Sequence, residues 1–333
     1  MKKWRLWIGL LVSVLCLHLA VRDIDVRSLL EALRQVQLVW LLLALGLLFV
    51  VALSRAYRWR LLFYPLQGLR IRRLFHLLNI GYLVSSVTPL RLGDVLKAYL
   101  FAELEGFSAV RALSTVVVER IADTLAIVVL LLVLLPQVSL PAHLIRPALA
   151  VGLAAAGAVA VMAGVALRRQ TSLALLNRVS ARVAILKREP IRRSVLSAVD
   201  GLAALGSWAQ VWRVGAWSLL IWLCAAVQYY LVMPAMGLAL PFTAALLVLC
   251  LTSLGMVIPS SPGYVGVLEY LTVLSLSLFG VTKEAALGYA LVLHALLYLS
   301  SSILGAVGLW AEGYSYVRLR QVLSEAEPTV LPT

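Results

Sequence analysis

The chain has 333 residues, 62% of them hydrophobic and only 13% charged, with 29 Lys/Arg against 15 Asp/Glu and a formal net charge of +14. Its mean hydropathy is +0.98. A soluble domain is nearer half apolar and a quarter charged, so these figures exclude a water-soluble protein, and the basic excess fits loops beside a membrane rather than a nucleic-acid surface. Cys16, Cys224 and Cys250 lie inside apolar runs without paired spacing, which suggests neither a disulfide framework nor a zinc site.

In chain order, Trp4–Ala20 follows a basic start at Lys2, Lys3 and Arg5 and lacks a small-x-small cleavage site after it, so a retained first span is expected. Asp23-Ile-Asp25 then precedes an amphipathic stretch, Val26–Gln37. The second span is Leu38–Leu53. After it, Arg55–Arg73 carries six arginines and no acid and is expected to be a cytoplasmic loop, with Arg55, Arg58, Arg60, Tyr57 and Trp59 as interfacial anchors. Leu74–Phe101 is apolar but interrupted at Pro89 and Gly93. Spans follow at Ala112–Leu135 and His143–Leu167. A basic amphipathic segment, 168–210, comes next, with Leu173, Leu176 and Val179 at helical spacing; it is expected to lie on the cytoplasmic surface. Val214–Gly237 and Ala286–Trp310 complete the full spans, and between them Phe242–Phe279 is broken at Pro259–Gly266.

Lys/Arg asymmetry sets direction. The N-terminus, Arg55–Arg73, Arg168–Arg193 and Arg318/Arg320 are the positive regions and are expected inside. Leu74–Phe101 must then enter from and return to the cytoplasm, and Phe242–Phe279 must do the same from outside. The two interrupted segments also match in sequence. Pro89-Leu-Arg-Leu-Gly93 parallels Pro262-Gly-Tyr-Val-Gly266, Gly106 parallels Gly280, and a polar group follows each of those glycines by the same interval, at Arg120 and at His294. The expected fold is an all-α polytopic membrane protein: six full transmembrane helices plus two re-entrant broken-helix hairpins, in an inverted repeat of residues 1–135 and 143–310. Inverted repeats with helices broken near the midplane are a transporter signature. Non-helical backbone at that depth is tolerated only beside protein or a water-filled cavity.

Four pieces, Arg55-Ala-Tyr-Arg-Trp-Arg-Leu-Leu62, Thr88-Pro-Leu-Arg-Leu-Gly-Asp94, Val118-Glu-Arg-Ile-Ala-Asp123 and Pro262-Gly-Tyr-Val-Gly-Val-Leu-Glu269, resemble in this order the lysylphosphatidylglycerol synthase transmembrane-region family, the flippase-like domain of multiple-peptide-resistance proteins. The chain departs from that family at Asp94, where Glu is usual, and at Tyr264, where Gly is usual. The resemblance implies movement of anionic or aminoacylated phospholipids, or of polyprenyl-phosphate carriers, across a bacterial or archaeal cytoplasmic membrane, with both termini cytoplasmic. Lysyl transfer is not implied, because the synthases perform it on a separate soluble domain.

Charges inside apolar segments mark the expected substrate-binding site: Arg91, Asp94 and Lys97 after the first break, Glu119, Arg120 and Asp123 in the Ala112–Leu135 span, Glu269 after the second break, and His294. Each costs at least ~2.5–3.5 kcal/mol to insert and so needs a partner or a cavity. Arg91 and Arg120 suit a lipid phosphate. The bland reading of Glu119, Arg120 and Asp123 is an internal ion pair on one helical face. Glu269 has three readings, as a proton acceptor, as a partner for a cationic headgroup, or as a cap for backbone amides at the break. His294 is read as a hydrogen-bonded core histidine or a proton relay. No nucleotide loop, HExxH or Ser/His/Asp pattern occurs, so neither an enzyme nor a cofactor is expected. The expected partners are membrane lipids, with a homo-oligomer or a lipid-modifying enzyme left open. The alternative function, a polyprenyl-phosphate-dependent glycosyltransferase, rests on Asp23-Ile-Asp25 as a metal-holding pair, against a simple helix-capping role for either acid.

Overall fold

A computed structural model describes residues 4–66, 68–88, 92–138, 142–172, 174, 178, 189–256 and 260–314. Among them the regular structure is all helical. The first half contains α1 (Trp4–Val21), α2 (Val26–Arg34), α3 (Leu38–Leu62), α4 (Ile71–Val87), α5 (Leu92–Glu105) and α6 (Ala109–Leu134). The second contains α7 (Ala142–Leu167), α8 (Glu189–Gly201), α9 (Trp208–Ala235), α10 (Phe242–Gly255), α11 (Val267–Ser277) and α12 (Lys283–Ala311).

Length and apolarity make this a multi-pass membrane protein. α3, α9, α12 and the Ile145–Leu167 part of α7 are each long and apolar enough to cross a bilayer. α6 is as long as α7, at 26 residues, but its apolar run is interrupted by Glu119, Arg120 and Asp123. α1 contributes a shorter apolar stretch, Gly9–Val21. By contrast α5 and α10 have 14 residues each and α11 has 11. At ~1.5 Å per residue these reach only about 21, 21 and 17 Å, short of a hydrocarbon core of about 30 Å.

The short helices pair into two hairpins, α4 with α5 and α10 with α11. Glycine lets the first close tightly: a Cβ on Gly93 would stand 1.8 Å from the Gly81 carbonyl oxygen, so the two backbones touch. In the second, a Cβ on Gly255 would meet the Leu271 side chain at 2.0 Å. The second limbs end alike. Gly106 and Gly280 both take left-handed backbone (φ 69° and 73°), and the next residue's N–H reaches back five positions, Phe107 to the Ala102 carbonyl and Val281 to that of Leu276. That is the Schellman arrangement, which glycine allows at no steric cost.

Packing relates the halves pair by pair. α5 lies on α6 as α11 lies on α12, and α10 lies on α6 as α4 lies on α12. The amphipathic helices obey the same exchange, α8 against α6 and α2 against α12, while α3 and α9 pack on each other at the centre. The outermost helices do not: α1 packs on α11, whereas α7 packs on α6 and the turn Ala203–Gly206. On the α4–α12 seam a Cβ on Gly305 or Gly308 would come within 2.8 and 2.9 Å of the Asn79 and His76 carbonyl oxygens. This is the small-residue contact by which helices approach closely in lipid. At one end of that seam His76 Nδ1 and Arg73 Nε hold Glu312 at 2.8 and 3.4 Å, and Arg73 Nη1 holds Glu105 at 2.7 Å, tying α4, α5 and α12 together.

Two expectations need correction. The second span does not stop at Leu53. α3 runs on to Leu62, and its inner face, Val51, Arg58 and Leu62, is buried. Arg58 and Trp59 are fully buried rather than interfacial anchors, because the helix turns them toward carboxylates and a hydroxyl on α6. The surface segment is described only in part. α8 falls where a basic amphipathic helix is expected, but Leu173, Leu176 and Val179 lie outside the described residues.

Candidate functional site

The first-half charges converge around α6. Glu119, Arg120 and Asp123 sit within little more than a turn, and each finds its strongest partners on another helix. Arg120 grips Asp94 with two parallel bonds, Nε to Oδ2 at 2.8 Å and Nη2 to Oδ1 at 2.5 Å. Glu119, wholly buried, accepts from Lys97 Nζ at 2.7 Å and from Arg58 Nη2 at 3.1 Å. Asp123 accepts from Arg58 Nη1 and, at 2.9 Å, from the indole N–H of Trp222 on α9. Arg58 also donates to Ser218 on α9 at 2.9 Å, and Trp59 donates to Thr115 at 3.1 Å. Unpaired, such groups could not sit in an apolar bundle; paired and hydrogen-bonded, they lock α3, α5, α6 and α9 together.

Charges in this cluster do not cancel. Arg55, Arg58, Lys97 and Arg120 face Asp94, Glu119 and Asp123, so four cations meet three carboxylates. The surplus is concentrated at Asp123 Oδ2, which Arg55 and Arg120 approach from two sides at 3.7 Å each, beyond hydrogen-bond length. Arg55 further touches the Tyr82 hydroxyl at 3.3 Å and stacks 5.1 Å over the Trp222 ring. Arg120 keeps 29% of its side chain exposed.

What exposes Arg120 is a cavity of about 530 Å³ between the two halves. Arg55, Asp94, Arg120 and Asp123 line its first-half wall, with Tyr82, Ser85 and Ser86 of α4. The second half contributes Trp222 and Gln228 of α9, Ser253 of α10, Tyr264 from the second break, and His294 and Tyr298 of α12. Gln228 is 2% exposed and its side-chain Nε2 has no hydrogen-bond partner among the described residues. A buried donor left so is costly unless a ligand or water satisfies it. The lining residues come from the middle turns of α3, α6, α9 and α12, which places the cavity at mid-depth in the bundle. The second tip reaches the last turn of α4 there: Gly263 lies against the Ser86 carbonyl and the Tyr298 ring, so a Cβ on it would stand 3.4 Å from each.

The second half builds a smaller pair in the corresponding place. Glu269, in the first turn of α11, accepts the Gly266 N–H at 2.6 Å with Oε2 and contacts His294 Nδ1 at 2.5 Å with Oε1. The amide-capping reading of Glu269 is therefore realised, together with a partner on α12. The tip itself is left-handed at Gly263, Tyr264 and Gly266 (φ 70°, 61° and 91°). Two of the three are glycines; Tyr264 takes this backbone despite its side chain.

Of the residues singled out in the sequence, Asp94, Arg120, Asp123 and His294 face the cavity. Lys97, Glu119 and Glu269 stand behind its wall, 2% exposed or less, and Arg91 lies outside the described residues. Sequence reasoning missed Arg55 and Arg58. Their signal was available: Val51, Arg55, Arg58 and Leu62 share one helical face, and the acids of α6 required cations to match. Asp23-Ile-Asp25 forms no acidic pair: Asp25 caps α2, accepting from the Ser28 hydroxyl at 2.6 Å and from the Ser28 and Arg27 amides, bonds that hold its carboxyl below the usual carboxylate range. Asp23 turns to Arg22 at 3.3 Å.

The family profile "Lysylphosphatidylglycerol synthase TM region" matches residues 6–305, which include every residue named on the cavity wall. The chain belongs to the lysylphosphatidylglycerol synthase transmembrane-region family. No curated protein and no solved structure matches it. The matched region takes in both hairpins, the α6 cluster and the Glu269–His294 pair.

Proposed function

We propose that the protein is a lipid flippase rather than an enzyme. It would move the phosphate-bearing headgroup of an anionic or aminoacylated phospholipid, or of a polyprenyl-phosphate lipid, through the mid-depth cavity while the tail stays in the bilayer. The observation that carries this reading is the Arg120–Asp94 grip on the cavity wall. A lipid phosphate offers the same planar pair of acceptors to a guanidinium that Asp94 does. In exchange, Asp94 turns toward Lys97 Nζ, already 3.6 Å away, so no charge is stranded when the headgroup arrives or leaves. Arg55 and the unpartnered Gln228 amide add further donors.

The hairpins give the route. In this reading they enter the membrane from opposite faces and belong to an inverted repeat, residues 1–135 and 143–310, supported by the exchanged packing of α4, α5 and α6 with α10, α11 and α12. Rocking one half against the other would open the cavity alternately to the two faces. The exposed tryptophans fit cytoplasmic termini: Trp7, Trp208, Trp212 and Trp310 all stand at helix ends assigned to that face, where indoles favour the interface. Membrane lipids are thus the proposed partners, in a cytoplasmic membrane.

The test is reconstitution into liposomes with fluorescent phosphatidylglycerol or a short polyprenyl phosphate. Transbilayer movement is expected for the native chain and is expected to be lost in Arg120→Ala, with Arg55→Ala intermediate and both variants folded. Movement untouched by either substitution overturns the assignment of these arginines, and no movement of any such lipid overturns the flippase reading.

A further inference from the structure

The two walls of the cavity answer each other. In the first half the acid that opens the second hairpin limb bonds a base on the long helix after it, Asp94 to Arg120; in the second half Glu269 bonds His294 in the same way. The chemical difference is that a guanidinium stays charged at every accessible pH, whereas imidazole is the side chain that ordinarily gains or loses its proton between about pH 5 and pH 8.

The bonds fix which nitrogen is free to titrate. Glu269 Oε2 accepts the Gly266 amide, and Oε1 lies 2.5 Å from His294 Nδ1. With Glu269 as the carboxylate, the hydrogen in that contact is carried by Nδ1, and in the neutral ring Nε2 is the lone-pair nitrogen. His294 lies on the cavity wall with 14% of its side chain exposed. Water in the cavity can therefore deliver a proton to it, while Glu269, 2% exposed, is shielded behind the ring.

No neighbour competes for this role. Asp94 and Asp123 are held by Arg120, Arg58 and Arg55. The remaining ionisable side chains on the cavity wall are phenols, Tyr82 of α4, Tyr229 of α9, Tyr264 of the break and Tyr298 of α12, the last with its ring 6.3 Å from the imidazole. Phenols are neutral across this range. α2 meets α12 at Gly288 with Leu29 and Ala32, and α1 presents Ser13 and Leu17 to the tip at Gly266.

We infer that Glu269 and His294 form a proton-binding site whose occupation adds a second cationic wall to the cavity, so that proton uptake and capture of an anionic headgroup are coupled. Hydronium in the cavity gives its proton to Nε2, one O–H bond breaking as the N–H bond forms and neutral water remaining, while the Nδ1 hydrogen stays on the ring, bonded to the Glu269 carboxylate. The site then presents an imidazolium backed by a carboxylate, the counterpart of the guanidinium backed by Asp94. Binding of either the proton or the anion strengthens the other by the same factor. This deepens the flippase reading and rests on it for its meaning in transport, but its test is one of binding.

The experiment measures the affinity of the detergent-purified protein for short-chain phosphatidylglycerol, followed by the fluorescence of its tryptophans and by calorimetry in two buffers of different ionisation heat. The native chain should bind about tenfold more tightly at low than at high pH within the imidazole range, a coupling of ordinary size, with proton uptake on binding. His294→Arg should bind tightly at both pH values, and His294→Gln weakly at both, neither taking up a proton. Size-exclusion profiles and thermal melts identify any variant that fails to fold, and the charge-retaining His294→Arg keeps the test alive if the glutamine variant does. Affinity of the native chain that is flat with pH, a pH slope retained in folded His294→Gln, or no binding at all overturns the inference. The flippase reading is judged separately: pH-dependent binding without transbilayer movement contradicts transport alone, whereas Arg120-dependent movement with pH-independent binding contradicts the proton site alone.

Discussion

The two hairpins share a plan and differ in charge. Both have a second limb that ends at a left-handed glycine and an acid in that limb bonded to a base on the following long helix. The first is wired into a network that reaches α3, α5, α6 and α9 through Arg58, Lys97, Glu119 and Asp123. The second has one buried pair, since Glu269 is the only charged residue in Phe242–Phe279. The difference teaches that one wall is built with a surplus of guanidinium and ammonium charge while the other holds a single carboxylate–imidazole pair. In the proposed reading a headgroup would meet a fixed anion site on one side and an adjustable one on the other.

The largest effect expected from breaking this arrangement is on the fixed side. Glu119→Gln leaves Lys97 and Arg58 facing each other without their shared carboxylate. Removing one partner of a buried pair costs about 3–5 kcal/mol, so a large fall in the thermal midpoint of the purified protein is expected, with Glu269→Gln falling less. Equal losses would mean that the network contributes no more than the lone pair.

Next in size is an exchange between the walls. Arg120→His places an imidazole against Asp94, so movement of phosphatidylglycerol should be weak near pH 8 and recover toward about pH 5.5, the range in which imidazole gains its proton. A variant equally weak at both values would show that the bidentate grip, and not charge alone, holds the phosphate. Arg120→Lys separates the two further: it keeps the charge, loses the fork, and should fall roughly tenfold in affinity for the same lipid.

The smallest effect is at the second tip. Tyr264 holds a left-handed backbone that favours glycine, a strain on the order of 1 kcal/mol or more. Tyr264→Gly should raise the thermal midpoint slightly and widen the cavity, measurable as faster movement of a bulkier headgroup relative to phosphatidylglycerol. A lowered midpoint would show that contacts of the ring outweigh the backbone strain.

Much of this was legible in the sequence because lipid punishes exceptions. Asp94, Glu119, Arg120 and Asp123 stood out as charges in apolar helices, and the match of Gly106 with Gly280 paired two glycines that the structure places at corresponding turns. Arg58 was not legible as a buried residue, because an arginine-rich stretch after an apolar run looks like a cytoplasmic loop, and only the carboxylates on α6 show why α3 continues through it. The bidentate pairing of Arg120 with Asp94, tighter than its 3.7 Å ion pair with Asp123 on its own helix, depends on the crossing of α5 and α6, which local spacing does not encode. Of the three readings of Glu269, amide capping depends on the fold of the tip, where Oε2 accepts the Gly266 N–H, and the contact with His294 depends on a helix twenty-five positions on.

The most direct test of the central claim, that the cavity between the hairpins is the passage for headgroups, is its access to water from both faces. Ser253 lines the cavity near the second tip. With Cys16, Cys224 and Cys250 replaced, Ser253→Cys can be labelled by a membrane-impermeant maleimide applied to one side of sealed vesicles and then, separately, to the other. Labelling from each face, slowed by added phosphatidylglycerol, is the predicted result. Labelling confined to one face, or unaffected by the lipid, would contradict it.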